Sequence, residues 1–241
     1  MKSIRLFLSE KNFEKDQIIE IIGNDFDYLI KVMRHKIGDE ILVFNGINGE
    51  FLASIIQIDK KSCKIQLSQQ KKEQIQSSNI TLAFAPVKNV RIDFIAAKAT
   101  EMGVNKFQPI ITQHSVVNKI NENRFLANIK EASEQCERLD IAEVRPIIKL
   151  ASYLKKLDEN QILILCDESI NVQKASEILA TIKAKKDQEI VIFVGPEGGF
   201  SKVEFEEFYK IPNLHKISLG TRILRSDTAI ISALALVGEF V

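Results

Sequence analysis

Two short stretches near the C-terminal end carry the residues best suited to chemistry. The first, "VGPEGGFS" from Val194 to Ser201, sets one carboxylate, Glu197, among Gly195, Pro196, Gly198 and Gly199. Glycines allow backbone conformations closed to other residues and let main-chain amides and carbonyls come close to a ligand. The second, "LGTRILRSDTA" from Leu219 to Ala229, puts Gly220 ahead of Arg222 and Arg225. An arginine keeps its positive charge and presents a planar fork of donors, so it suits a developing anion or a phosphate oxygen. Ile223 and Leu224 are bulky and apolar within a loop, which calls for a buried partner such as an adenine ring. Neither stretch is a phosphate-cradling Walker loop, since no Lys-Ser/Thr ending follows, nor a dinucleotide fingerprint of the GxGxxG type. The plainer alternative is a pair of ordinary turns with the arginines paired to Asp227 and Glu197.

The elements around these loops follow from the apolar pattern. "EIVIFV" before Gly195 is a continuous apolar run, as are "ITLAFAPV" and "QILILC", and helical patterns separate such runs from Asn79 onward. Buried strands alternating with helices predict a mainly parallel sheet covered on both faces, with ligands expected beyond the carboxyl ends of the strands. Ser201 with Glu204 three residues on has capping-box spacing and predicts a helix start, and Ser226 is the expected N-cap of the last helix, with Asp227 in its first turn. A long helix is expected over "NVQKASEILATIKAKK", residues 171–186. Residues 1–72 read differently. Short strand-like runs, with Asn45, Gly46, Asn48 and Gly49 marking a hairpin turn, predict a compact β-barrel-like module. Residues 73–78 then read as a linker and 79–241 as an α/β domain.

Composition narrows the class. With 33 basic and 32 acidic residues the net charge is +1, so any nucleic-acid surface must be a local patch. The three cysteines, Cys63, Cys136 and Cys166, are too few and too scattered for a disulfide framework or a zinc knuckle, and point to a reducing cytoplasm. His35, His114 and His215 lack metal-ligand spacing, so no metal is expected. The longest C-terminal apolar run, Ala229 to Val237, is short of the roughly 20 residues that span a bilayer, so no membrane association is expected.

Together, "GPEGGFS" and "LGTRILRSDTA", in this order and at this end of the chain, resemble the signature segments of the SPOUT-class methyltransferases, specifically the RsmE-type 16S ribosomal RNA uridine N3-methyltransferases. "KATEMGVNKFQPIIT", "HSVV", "EASEQCERLDIAEVRP" and "VMRHKIGDEILVFNG" look like further segments of that family. The resemblance implies a PUA-like RNA-binding barrel at the N-terminus and a trefoil-knotted α/β domain that binds S-adenosylmethionine. It also implies a homodimer and, as substrate, a uridine in the decoding region of the small ribosomal subunit. Two positions depart from the family pattern. Asp227 stands where the family has a glutamate, and Glu137 where a glycine is common.

On this resemblance Arg225 is the first candidate for stabilising a uracil that has lost its N3 proton, and Arg222 is assigned to RNA. The proton acceptor stays open between Glu197, water and a group of a partner subunit. Leu165, Val194, Gly195, Gly199, Leu219, Gly220 and Leu224 would hold the cofactor through backbone groups, with Ile223 and Ala229 packed nearby. Arg5, Arg34 and Lys36 in the first module, and Arg91 in the second domain, are the expected RNA contacts, with His35, Lys88 and Lys98 as further possibilities; Arg138 is assigned to RNA or to the dimer surface, a helix-surface salt bridge being its plainer alternative. A ribose 2′-O-methyltransferase of the same fold and a non-catalytic RNA-binding adaptor are the rival readings.

Overall fold

The computed structural model describes residues 4–75, 78–88, 90–167, 174–182, 184–185 and 188–240, apart from the side chains of residues 90 and 91. The chain divides into two compact units, Met1–Gln76 with Ser133–Ile141, and Ser77–Ala132 with Ala142–Val241.

The first unit is built on strands β1 (Arg5–Phe7), β2 (Ile18–Ile22), β3 (Glu40–Phe44), β4 (Glu50–Ile58) and β5 (Ser62–Lys72). They form one sheet in the order β1-β3-β4-β5-β2, antiparallel except for the β1/β3 pair. Side chains of β2 and β5 alternate between buried and outward positions, as expected for strands with one face on a core. Three register shifts in the β4/β5 ladder act as bulges that curl the sheet around Leu6, Ile41, Val43, Ile55, Ile65 and Leu67. A short helix α1 (Gly23–Phe26), continued by π-helical turns over Asp27–Val32, closes this core with Phe26 and Leu29. The predicted hairpin turn joins β3 to β4, where Asn45 Oδ1 accepts from the amides of Ile47 (3.0 Å) and Asn48 (2.8 Å).

The expected single block over 79–241 is interrupted, because Ser133–Ile141 clusters with the first unit. The cause is Arg5. Its guanidinium donates to Glu50 (2.5 Å) and to the carbonyls of Ser133 (3.1 Å), Glu134 (2.9 Å) and Arg138 (2.8 Å), and it lies 4.6 Å from the centre of the Phe44 ring. The expectation that Arg5 contacts RNA is therefore corrected. At 6% exposure it is a structural cation that satisfies carbonyls left open where a helix ends.

The second unit contains β6 (Ile80–Phe84), α2 (Val90–Glu101), β7 (Val104–Ile111), α3 (Glu122–Gln135), β8 (Glu143–Val144), β9 (Ile148–Lys149), α4 (Leu150–Leu154), β10 (Ile162–Cys166), α5 (Ala175–Leu179), β11 (Ile190–Val194), α6 (Lys202–Tyr209), β12 (Leu214–Ile217) and α7 (Ser226–Gly238). The last turn of α3 falls within the segment assigned to the first unit. All pairings are parallel, in the order β12-β10-β11-β6-β7-β8, with β9 also on β7. Every residue of β6 and β11 is buried, which is why these strands read as unbroken apolar runs. The long helix expected over 171–186 is corrected to the five residues of α5. Turns occupy Ala180 and Thr181, and residues 171–173, 183 and 186 lie outside the described ones.

Candidate active site

β11 delivers the first loop. Leaving the fully buried strand, the chain turns through Gly195 to Gly199, where the Gly199 amide donates to the Pro196 carbonyl at 2.9 Å. A Cβ on Gly195 would sit 3.1 Å from the Phe200 ring, so this position has no room for a side chain unless that ring moves. The ring is held in turn by edge contacts to Phe205 and Phe208. The predicted capping box then starts α6. Glu204 Oε2 accepts from the Ser201 amide (2.8 Å) and Ser201 Oγ accepts from the Glu204 amide (3.3 Å). The second oxygen of Glu204 takes the Gln113 amide (2.7 Å), and the neighbouring His114 Nδ1 lies 3.0 Å and 3.1 Å from the carbonyls of Gly198 and Gly199. Two carbonyls can only accept, so Nδ1 carries the proton.

β12 delivers the second loop. Gly220 takes φ +115, a conformation that residues with side chains rarely adopt. The expected N-cap is shifted by one residue. Arg225 occupies the cap position, and Ser226, buried as the first helical residue, sends its hydroxyl to the Gly195 carbonyl at 3.1 Å. That bond ties one loop to the other.

The two loops and the end of β10 enclose a cleft of about 620 Å³, counting the volume open to solvent. Val194, Gly195, Glu197, Gly199, Leu219, Gly220, Arg222, Leu224 and Ala229 line it, so nine of the residues singled out by type and spacing meet at one place. It lies beyond the carboxyl ends of three adjacent parallel strands, where open α/β sheets bind ligands.

Other expected positions fall elsewhere. Leu165 is wholly buried in the core, and β10 reaches the cleft through Cys166 and Asp167. Ile223 is 85% exposed and does not line the cleft, which corrects the expectation that it packs there. Arg225 is not among the residues that line the cleft; it is exposed, between the lining residues Leu224 and Ser226. Arg138 is corrected from an RNA contact to a largely buried ion pair with Asp140 at 3.0 Å, and its carbonyl serves Arg5. Arg34 and Lys36 are exposed on the loop before β3. For Arg91 only the backbone, in α2, is described.

Sequence reasoning missed Asp167, Cys166, Phe200 and Phe205 in the cleft wall. Asp167 had a usable signal, being the first polar residue after the apolar run "ILILC". It is 3% exposed and its Oδ2 lies 3.5 Å from the Tyr209 hydroxyl. Burial, with the Asp167 carboxylate adding to it, pushes the Cys166 thiol up to about 12. It therefore stays protonated and is a poor nucleophile. Among the described residues no group of three or more His, Cys, Asp or Glu could hold a metal ion, and no helix is long and apolar enough to cross a membrane.

A parallel α/β sheet with glycine-containing loops joined around a cleft at its carboxyl edge has the form of a ligand-binding site, and comparison with known proteins makes the class specific. The family model described as "RNA methyltransferase domain" matches residues 60–238, and one described as "RNA methyltransferase PUA domain" matches residues 21–68. The chain belongs to this RNA methyltransferase family. It is 34% identical over 235 residues to the ribosomal RNA small subunit methyltransferase E of Rickettsia conorii, spanning 98% of this chain and 95% of that protein. Against the enzyme of that name from Bacillus subtilis it is 26% identical, spanning 95% and 92%. The crystal structure of the Neisseria gonorrhoeae ribosomal RNA small subunit methyltransferase E bound to S-adenosylmethionine superposes with a TM-score of 0.84 at 29% identity, covering 97% of this chain and 95% of that one. A Legionella pneumophila methyltransferase in complex with the same cofactor gives 0.87 at 28% identity, covering 99% and 98%.

Proposed function

We propose that this protein transfers a methyl group from S-adenosylmethionine to N3 of a uridine in 16S ribosomal RNA, in the decoding region of the small subunit. The observation that carries the proposal is the single cleft formed by the two glycine loops, joined by the bond from Ser226 to Gly195. The cleft suits the cofactor. Gly195, Gly199 and Gly220 line it without side chains that would block a nucleoside, and Val194, Leu219, Leu224 and Phe200 offer apolar faces to an adenine ring.

When bound, S-adenosylmethionine supplies an electrophilic methyl on a sulfonium. The protein's task is to align the uracil and to stabilise it as N3 loses its proton. Arg225, exposed between the cleft-lining Leu224 and Ser226, stabilises the uracil anion, and Arg222 in the cleft wall holds an RNA oxygen. Arginine cannot take the proton, which goes to Glu197, to water or to a group of a second subunit.

The finer architecture belongs to the same proposal. Residues 1–72 are a PUA-like barrel that binds RNA through Arg34 and Lys36, 73–78 link it to the catalytic domain over 79–241, and the α/β domain is knotted where α7 passes the β11 loop. The protein works as a homodimer in the cytoplasm. The exposure of Ile223 beside the cleft supports a second copy covering that loop, and the free cysteines support a reducing compartment.

The test is methyl-label transfer to small ribosomal subunits lacking the modification, followed by digestion to nucleosides. The label is expected in 3-methyluridine. Label in 2′-O-methyl nucleosides would favour the ribose-modifying alternative, and no label at all would favour the adaptor.

A further inference from the structure

A second groove opens on the same rim of the sheet. β6 lies beside β11, and their pairing runs on past the strand ends through the Ala85 amide and the Val194 carbonyl at 3.2 Å. The chain after β6 therefore starts next to the first cleft loop. From there Val87 and Lys88 face the start of α2 and the loop between β7 and α3 across a groove of about 780 Å³, counting the volume open to solvent. That loop serves both sites. Its His114 is bonded to the carbonyls of Gly198 and Gly199 in the cofactor loop, and its Val117, Lys119 and Ile120 line the groove.

The groove has the chemistry of a nucleic-acid strand seat. Its floor is apolar, with Val87 at 5% and Phe125 at 1% exposure. Its rim carries Lys88, Lys119 and Arg124. Arg124 is held by Asp93, the groove's one carboxylate among the described side chains, and Asn128 also bonds to Asp93. Lys88 and Lys119 are exposed, with no hydrogen-bond or ion-pair partner among the described residues. The groove thus has a net positive rim in a chain of net charge +1. Two exposed ammonium groups over an apolar floor suit phosphates at the rim with sugar and base faces below.

We propose that this groove seats the RNA strand flanking the methylated nucleotide, with Lys88 and Lys119 on its phosphates. The proposal rests on the reading of the cleft as an RNA methyltransferase site. Its consequence is that the two lysines contribute to substrate binding and leave cofactor binding alone.

The experiment compares wild type with Lys88→Glu/Lys119→Glu and with Lys88→Gln/Lys119→Gln, using small ribosomal subunits lacking the modification and a range of salt concentrations. For the double glutamate variant, KM for the subunit should rise by about tenfold or more while kcat stays within about threefold, and the glutamine variant should fall between. The slope of log affinity against log salt should shrink by about two contacts, and calorimetric affinity for S-adenosylmethionine should not change. A KM and salt slope equal to wild type in a variant that still methylates would overturn the proposal. A wild-type enzyme that makes no methylated uridine would overturn the functional reading instead. Thermal melts matching wild type exclude misfolding as the cause of a raised KM.

Discussion

Arg225 shows how far residue type and spacing can reach. A guanidinium three residues after Arg222, just before a helix, reads as a charge held at a ligand; the structure puts it at the N-cap of α7, between the cleft-lining Leu224 and Ser226, and the role itself is the proposal. Replacing it by alanine removes the cation proposed to stabilise the uracil anion and leaves the cofactor's backbone contacts in place. Methyl transfer by Arg225→Ala should fall by about 10²-fold or more, with S-adenosylmethionine affinity within about threefold, measured by label transfer and calorimetry. Normal turnover in that variant would refute the assignment. The direction a side chain takes was less readable. Ile223 and Leu224 are adjacent apolar residues, yet only Leu224 lines the cleft. Arg5 was misread because three of the four groups it donates to, the carbonyls of residues 133, 134 and 138, are more than 120 positions away and carry no signal in side-chain type.

At the scale of elements, the buried strands and the capping box were legible because each rests on a local pattern, a run of apolar residues or a serine and glutamate three apart. Helix ends set by tertiary contacts were less so. Ser226 has the composition of a cap but spends its hydroxyl on Gly195, and the cap position passes to Arg225. Glu137 gives the converse case. Two residues past the end of α3 it adopts φ 65, the left-handed conformation that favours glycine, which accounts for glycine being common there in the family it resembles. Its ion pair with Lys72 at 3.0 Å is exposed on both sides and contributes little. Glu137→Gly should therefore stabilise the protein by about 1 kcal/mol, raising the unfolding midpoint by about 2–4 °C. A lower midpoint in a thermal melt would show that the ion pair outweighs the backbone strain.

Across the whole molecule, the second unit separates stability from chemistry along its strands. Near their amino ends, Glu189 accepts hydrogen bonds from Thr81, from Gln161 (2.7 Å) and from Lys106 (3.2 Å), binding the strands that carry the site. At their carboxyl ends lie the cleft proposed for the cofactor and the basic groove, joined by the loop that carries His114. The change in rhythm near residue 79 is what the sequence offers for dividing the chain. That Ser133–Ile141 clusters with the first unit was not readable, because it depends on Arg5. A knot leaves no trace in periodicity at all, since it concerns the order in which segments pass one another. The central claim is that two turns some 20 residues apart form one pocket for S-adenosylmethionine, and a crystal structure of the complex tests it most directly. The cofactor is predicted to lie between residues 194–199 and 219–224 with its transferable methyl facing Arg225, and density for it at any other place on the protein would contradict the account.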